Sequence, residues 1–156
     1  MIHTTSPRGF TLLIAVILSS VISSVGLALL DVTLKQVILA SAATQSQYAF
    51  YNADTALECA LYWDQKIGAF DYTSPLSAGS ITCADLVVTN YVPASGSGTR
   101  TTSFSVPCTS GSGTLGTVSI SKTATGQTTI YANGYNSCDP NDPRRLERGL
   151  KATYGS

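Results

Sequence analysis

From Phe10 to Leu30 the chain runs 21 residues without a charge, and no other feature restricts its fold as much. As a helix such a run is about 32 Å long at roughly 1.5 Å per residue, enough to cross a bilayer core of roughly 30 Å. A secretory signal that is cut away has a shorter apolar stretch, about 7–15 residues, followed by small residues at the cut. Here the nearest such pattern, Ala40-Ser41-Ala42, comes only after Asp31 and Lys35. The run therefore reads as an anchor that stays on the protein. Arg8 precedes it and no Lys or Arg follows before Lys35. The positive-inside tendency then keeps the N-terminus cytoplasmic and sends the bulk of the chain outside.

The cysteines agree with that topology. Cys59, Cys83, Cys108 and Cys138 are widely spaced, with no CxxC pair. A zinc site of four thiolates shows close pairs, so no metal is expected. An even count in an exported chain reads as two disulfides, with three possible connectivities. Charged residues make up 12% of the chain and the formal net charge is zero. Such a chain has no global electrostatic attraction to nucleic acid.

The long helix extends past the anchor. Between Phe10 and Pro75 there is no Pro, and Gly occurs only at 26 and 68. Residues 10–66 therefore read as one helix with a weak point at Gly26. Asp31 and Lys35 form an i,i+4 pair in the favourable order where the helix leaves the bilayer. Further on, Phe50, Ala53, Leu57, Ala60 and Leu61 share one face, while Gln45, Gln47, Asn52, Thr55 and Glu58 fall mostly elsewhere. Such a stripe wants a sheet to cover it. The strands are expected at Leu86–Val92, Thr101–Val106, Thr117–Lys122, Thr128–Asn133 and Leu150–Tyr154, with loops at 67–79, 94–99 and 109–113. The expected class is α+β: a long N-terminal helix packed on a C-terminal antiparallel sheet. A hairpin turning at "TATGQ", centred on Thr125, sets Ile120 opposite Ile130 and Cys138 near Ser112. That register favours Cys108–Cys138, which leaves Cys59–Cys83.

Two motifs carry a resemblance. Arg8-Gly9-Phe10-Thr11-Leu12-Leu13 resembles the class III signal of type IV prepilins. "AFYNADTALECALYW", residues 49–63, resembles a segment of PilX-type minor pilins. The resemblance implies a leader at residues 1–9, a filament-core and transmembrane half at 10–35, and an extracytoplasmic domain at 36–156. It implies cleavage between Gly9 and Phe10 by prepilin peptidase and N-methylation of Phe10. The implied partners are other pilin subunits, met through the N-terminal helix, prepilin peptidase, and the inner or cytoplasmic membrane; no cofactor is implied. The implied location is a single-pass membrane protein, then the cell surface and pilus. The family usually has Glu as the fifth mature residue, and this chain has Ile14. Family members without that Glu tend to be minor subunits.

Chemistry is sparse elsewhere. The one histidine, His3, falls in the leader. Asp54 and Glu58 are an i,i+4 carboxylate pair, which needs a cleft before it can act as acid and base. Asp139, Asn141 and Asp142 could hold Ca²⁺ or simply build turns. Arg144, Arg145 and Arg148 form a basic cluster expected to pair internally. The expectation is a structural minor pilin, not an enzyme. A pseudopilin of a type II secretion or DNA-uptake machine and a signal-anchored binding module are the alternatives.

Overall fold

A computed structural model of the chain describes residues 8–76, 79, 81–109 and 113–155, with side chains from Phe10 onward. His3, Ser112 and leader residues 1–7 lie outside the described residues. The layout is α+β, with one long apolar N-terminal helix and a C-terminal antiparallel sheet of five strands. The chain divides into two compact units, Met1–Ala42 and Ala43–Ser156.

Helix α1 (Arg8–Gln65) is unbroken at Gly26. Within the first unit its side chains are exposed from Phe10 onward. The helix ends at a glycine cap, where Gly68 takes φ +69° and the amide of Ala69 donates to the carbonyl of Trp63 at 2.8 Å.

The second unit begins with the end of α1, and after the loop comes a small hairpin, β1 (Thr82–Cys83) and β2 (Leu86–Val87). Its two-residue turn, Ala84-Asp85, has both residues at positive φ, as a type I′ turn requires. A five-stranded meander follows: β3 (Thr89–Ser95), β4 (Thr99–Pro107), β5 (Thr114–Thr123), β6 (Gln127–Tyr135) and β7 (Glu147–Gly155). Ile120 pairs with Ile130 around the Thr123–Gln127 turn.

The core is small side chains against large ones. Ala49, Ala53, Ala56 and Ala60 of α1 are buried, and Ala56 and Ala60 pack in one cluster with Phe104, Val106, Val118, Ile120, Ile130 and Ala132. Phe70, from the loop after α1, stacks on Phe104 with ring centroids 5.8 Å apart. Two glycines set how near the helix sits. A Cβ on Gly134 would lie 2.0 Å from the Ala53 amide nitrogen and 2.3 Å from the Ala49 carbonyl. One on Gly116 would lie 3.2 Å from the Ala56 Cβ. Backbone meets backbone there, and this corrects the expected stripe. The closest contact is the alanine row, with Leu57 and Leu61 half-buried against the core beside it as expected; Phe50 alone departs, turning outward at 46% exposure, because a large side chain at the contact would hold the helix off the sheet.

Two other expectations change. Leu86–Val92 is not one strand: it splits at Val88, with β2 pairing to β1 and β3 to β4. Residues 94–99 are not all loop, since β3 runs to Ser95 and β4 begins at Thr99. Pro93 has no amide to donate and sits on an edge strand, where the β3–β4 register shifts twice.

Candidate functional site

Within the first unit, α1 is long and apolar enough to cross a membrane. Three of its serines suit an apolar medium, because their hydroxyls are satisfied within the helix. Ser19 donates to the Val16 carbonyl at 2.9 Å, Ser20 to that of Ile17 at 2.8 Å and Ser24 to that of Val21 at 2.8 Å. Lys35 and Asp31 form an exposed ion pair at 2.8 Å. Gly9 and Phe10 lie in the first turn of the helix, and Ile14 is one turn on.

In the second unit, Cys59 is bonded to Cys83, with Cα atoms 5.7 Å apart, and Cys108 to Cys138, with Cα atoms 6.3 Å apart. The first bond ties α1 to β1. The second ties the end of β4 to the loop after β6. Asp54 and Glu58 do not share a cleft: Glu58 borders a shallow hollow of about 460 Å³ beside Cys59, Trp63 and Thr82, and Asp54 does not. Asp139 and Asp142 build turns, accepting from the amides of Asn141 at 2.8 Å and Arg144 at 2.9 Å. The Arg144 hydrogen bond holds the Asp142 carboxyl below its ordinary pKa. Among the described residues no cluster of His, Cys, Asp and Glu could hold a metal ion.

The basic cluster is engaged internally in different ways: Arg144 adds its charge to the hydrogen bond that lowers Asp142, while Arg145 and Arg148 meet a ring and a hydroxyl. Arg145 lies 3.8 Å from the centroid of the Tyr135 ring, and Arg148 donates to the Ser46 hydroxyl at 2.8 Å. Helix polar groups expected to point elsewhere also meet the sheet region. Asn52 donates to the Tyr135 carbonyl at 2.6 Å, and Gln45 accepts from Asn136 at 2.8 Å.

One buried polar cluster escapes a motif-based reading. Asp64, near the end of α1, is buried. Lys122 of β5 reaches its Oδ1 at 2.7 Å, and the Tyr154 hydroxyl of β7 donates to its Oδ2 at 2.6 Å. Burial, then the Asp64 carboxylate, push the Tyr154 phenol well above its ordinary pKa. The signal was in the periodicity. Lys122 continues the inward alternation of Val118 and Ile120, Tyr154 that of Leu150 and Ala152, and Asp64 lies one turn beyond Ala60.

No family model, curated protein or solved structure matches this chain. The functional reading therefore rests on its own residues. The cluster ties the helix end to β5 and β7, a fastening role. The Lys122 ammonium offsets the charge of this buried carboxylate and the Tyr154 hydroxyl binds its other oxygen.

Proposed function

We propose that the chain is a minor structural subunit of a type IV pilus or a related filament, made as a prepilin and without catalysis of its own. The observation that carries this is the Arg8-Gly9-Phe10-Thr11 junction at the head of an unbroken helix whose first unit is apolar and exposed. On this reading prepilin peptidase cuts after Gly9 and methylates Phe10, and the helix stays on the mature protein. In the membrane the helix is an anchor; in the filament the same apolar side chains pack against those of other subunits. The serines that bond back to their own helix present no unsatisfied hydroxyl in either setting. The disulfide-fastened sheet unit suits an oxidising exterior.

Ile14 argues for a minor place. A free amine at Phe10 buried in an apolar bundle is costly without a carboxylate partner. A chain supplying Ile14 there tolerates that in few copies better than in many.

Mass spectrometry of the N-terminus of protein recovered from cells tests the proposal. The expected terminus is N-methylated Phe10. Recovery with Met1 intact, or cut near Ala42, overturns it in favour of a binding module held by a signal anchor. Shearing then separates the filament types: a pilus subunit leaves with the fibres, and a pseudopilin of a secretion or DNA-uptake machine stays with the envelope.

A further inference from the structure

The sheet face turned away from α1 has a regular chemistry. Successive rungs across β4, β5, β6 and β7 read Thr101, Ser121, Thr129 and Thr153; then Ser103, Ser119, Tyr131 and Lys151; then Ser105, Thr117, Asn133 and Gly149. Hydroxyls and amides thus repeat at roughly 4.8 Å across the strands and roughly 6.7 Å along them.

Within this face lies a hollow of about 300 Å³, a volume near the lower end for small-molecule sites, which run to about 300–1,000 Å³. Its floor is Ser103, Ser119, Thr117 and Asn133, with Tyr131 at one side and Asn90 at the other. The Asn90 wall is made by an irregularity. Asn90 stands at φ +51°, within the first of the two register shifts of β3, and its amide reaches the Ser105 hydroxyl at 3.5 Å. Bulges re-aim side chains at sheet edges, and residues at positive φ collect at ligand clamps. Gly149, opposite Asn133, leaves room for the Asn133 amide, because a Cβ there would lie 2.9 Å from its Oδ1.

The polar groups of the floor are unspent. The hydroxyls of Ser103, Thr117, Ser119 and Tyr131 and the Asn133 amide make no hydrogen bond to other described residues. Tyr131 is 48% exposed, and Lys151, which does not line the hollow, lies over its ring with Nζ 5.1 Å from the centroid.

We propose that this hollow binds a neutral carbohydrate, such as a hexose unit of an uncharged polysaccharide. A phosphate, a carboxylate or a nucleic acid backbone is held best where cations add to the hydrogen bonds, and an organic cation where acids do; no charged residue lines this hollow among the described residues. A purely apolar ligand would strand five hydrogen-bonding groups. A sugar matches on both counts. Each of its hydroxyls donates and accepts, as do Ser103, Thr117 and Ser119, and its C–H face packs on an aromatic ring such as Tyr131. The inference stands whether or not the chain assembles into filaments.

The test uses the full chain in a detergent without a sugar headgroup. Binding is measured by calorimetry against soluble glucan, mannan and galactan oligomers, with heparin as the charged comparison. At least one neutral oligomer is expected to bind, with heparin weaker. Tyr131→Ala and Asn133→Ala are each expected to weaken binding tenfold or more. Thr153→Ala, on the same face beyond the hollow, is expected to leave it unchanged, and circular dichroism confirms that each variant is folded. Should no neutral oligomer bind at millimolar concentration, should heparin bind best, or should the folded Tyr131 and Asn133 variants bind as the parent does, the proposal is overturned.

Discussion

Lys122 holds its ammonium 2.7 Å from a carboxylate oxygen of Asp64, whose side chain is 2% exposed. The two residues come from opposite layers, helix and sheet, so their contact fastens one to the other. Lys122 is partly exposed and Asp64 is not, so removing the lysine strands a buried carboxylate. Lys122→Met is expected to cost about 3–5 kcal/mol, and pairing it with Asp64→Ala to restore much of that. Urea unfolding of the full chain in detergent, followed by circular dichroism, measures both. Losses of the two single variants that simply add in the double variant would show that the pair has no coupling.

Tyr154 predicts a response to alkali. Its phenol is raised above the ordinary value of 10.0 in the folded protein, chiefly by burial and then by Asp64. The folded state therefore binds the proton more tightly than the unfolded chain. Its contribution to stability is undiminished below about pH 10 and is lost as the pH climbs beyond. Tyr154→Phe should flatten part of that alkaline decline. Part will remain, because burial also raises Tyr91. An unchanged slope in the variant would count against this account.

Gly134 should tolerate no side chain. Its missing Cβ is the space taken by the Ala53 amide and the Ala49 carbonyl. Gly134→Ala is expected to lower stability by about 1–3 kcal/mol or more, since backbone must move on one side. Gly155→Ala, with nothing within 4 Å of the added carbon, is the control and should be near neutral. A Gly134 variant as stable as the control would mean that the helix and sheet can part without loss.

The disulfides close sequence separations of 24 and 30 residues. Each should contribute about 2–4 kcal/mol, a large share for a small core. Protein exported from cells should show no reactive thiol when denatured without reductant. Four reactive cysteines would contradict the exported topology as well as the bonds.

If the chain is a filament subunit, Ile14 makes it a rare one. Quantitative proteomics of sheared filaments should find it well below another pilin that carries Glu at the corresponding place. Finding it as the most abundant subunit would require some other group to neutralise the Phe10 amine.

Much of this architecture is local in origin and so could be read along the chain. A helix and an anchor depend on composition over consecutive residues, which Phe10–Leu30 displays without reference to anything else. The hairpin around Thr125 is also local: a turn signal between alternating strands sets Ile120 against Ile130. What the linear pattern left open depends on residues far apart. The alanine line, in place of a face including Phe50, became the contact because Gly116 and Gly134 came opposite it, some 60–80 positions away. Asp64, Lys122 and Tyr154 became one cluster only because the sheet stacked β5 beside β6 and β7 under the end of the helix. Asn90 became the wall of a hollow through a register shift on an edge strand. Periodicity tells which way a side chain points; which partner it meets is set by the register and separation of packed layers, and those are properties of the whole fold.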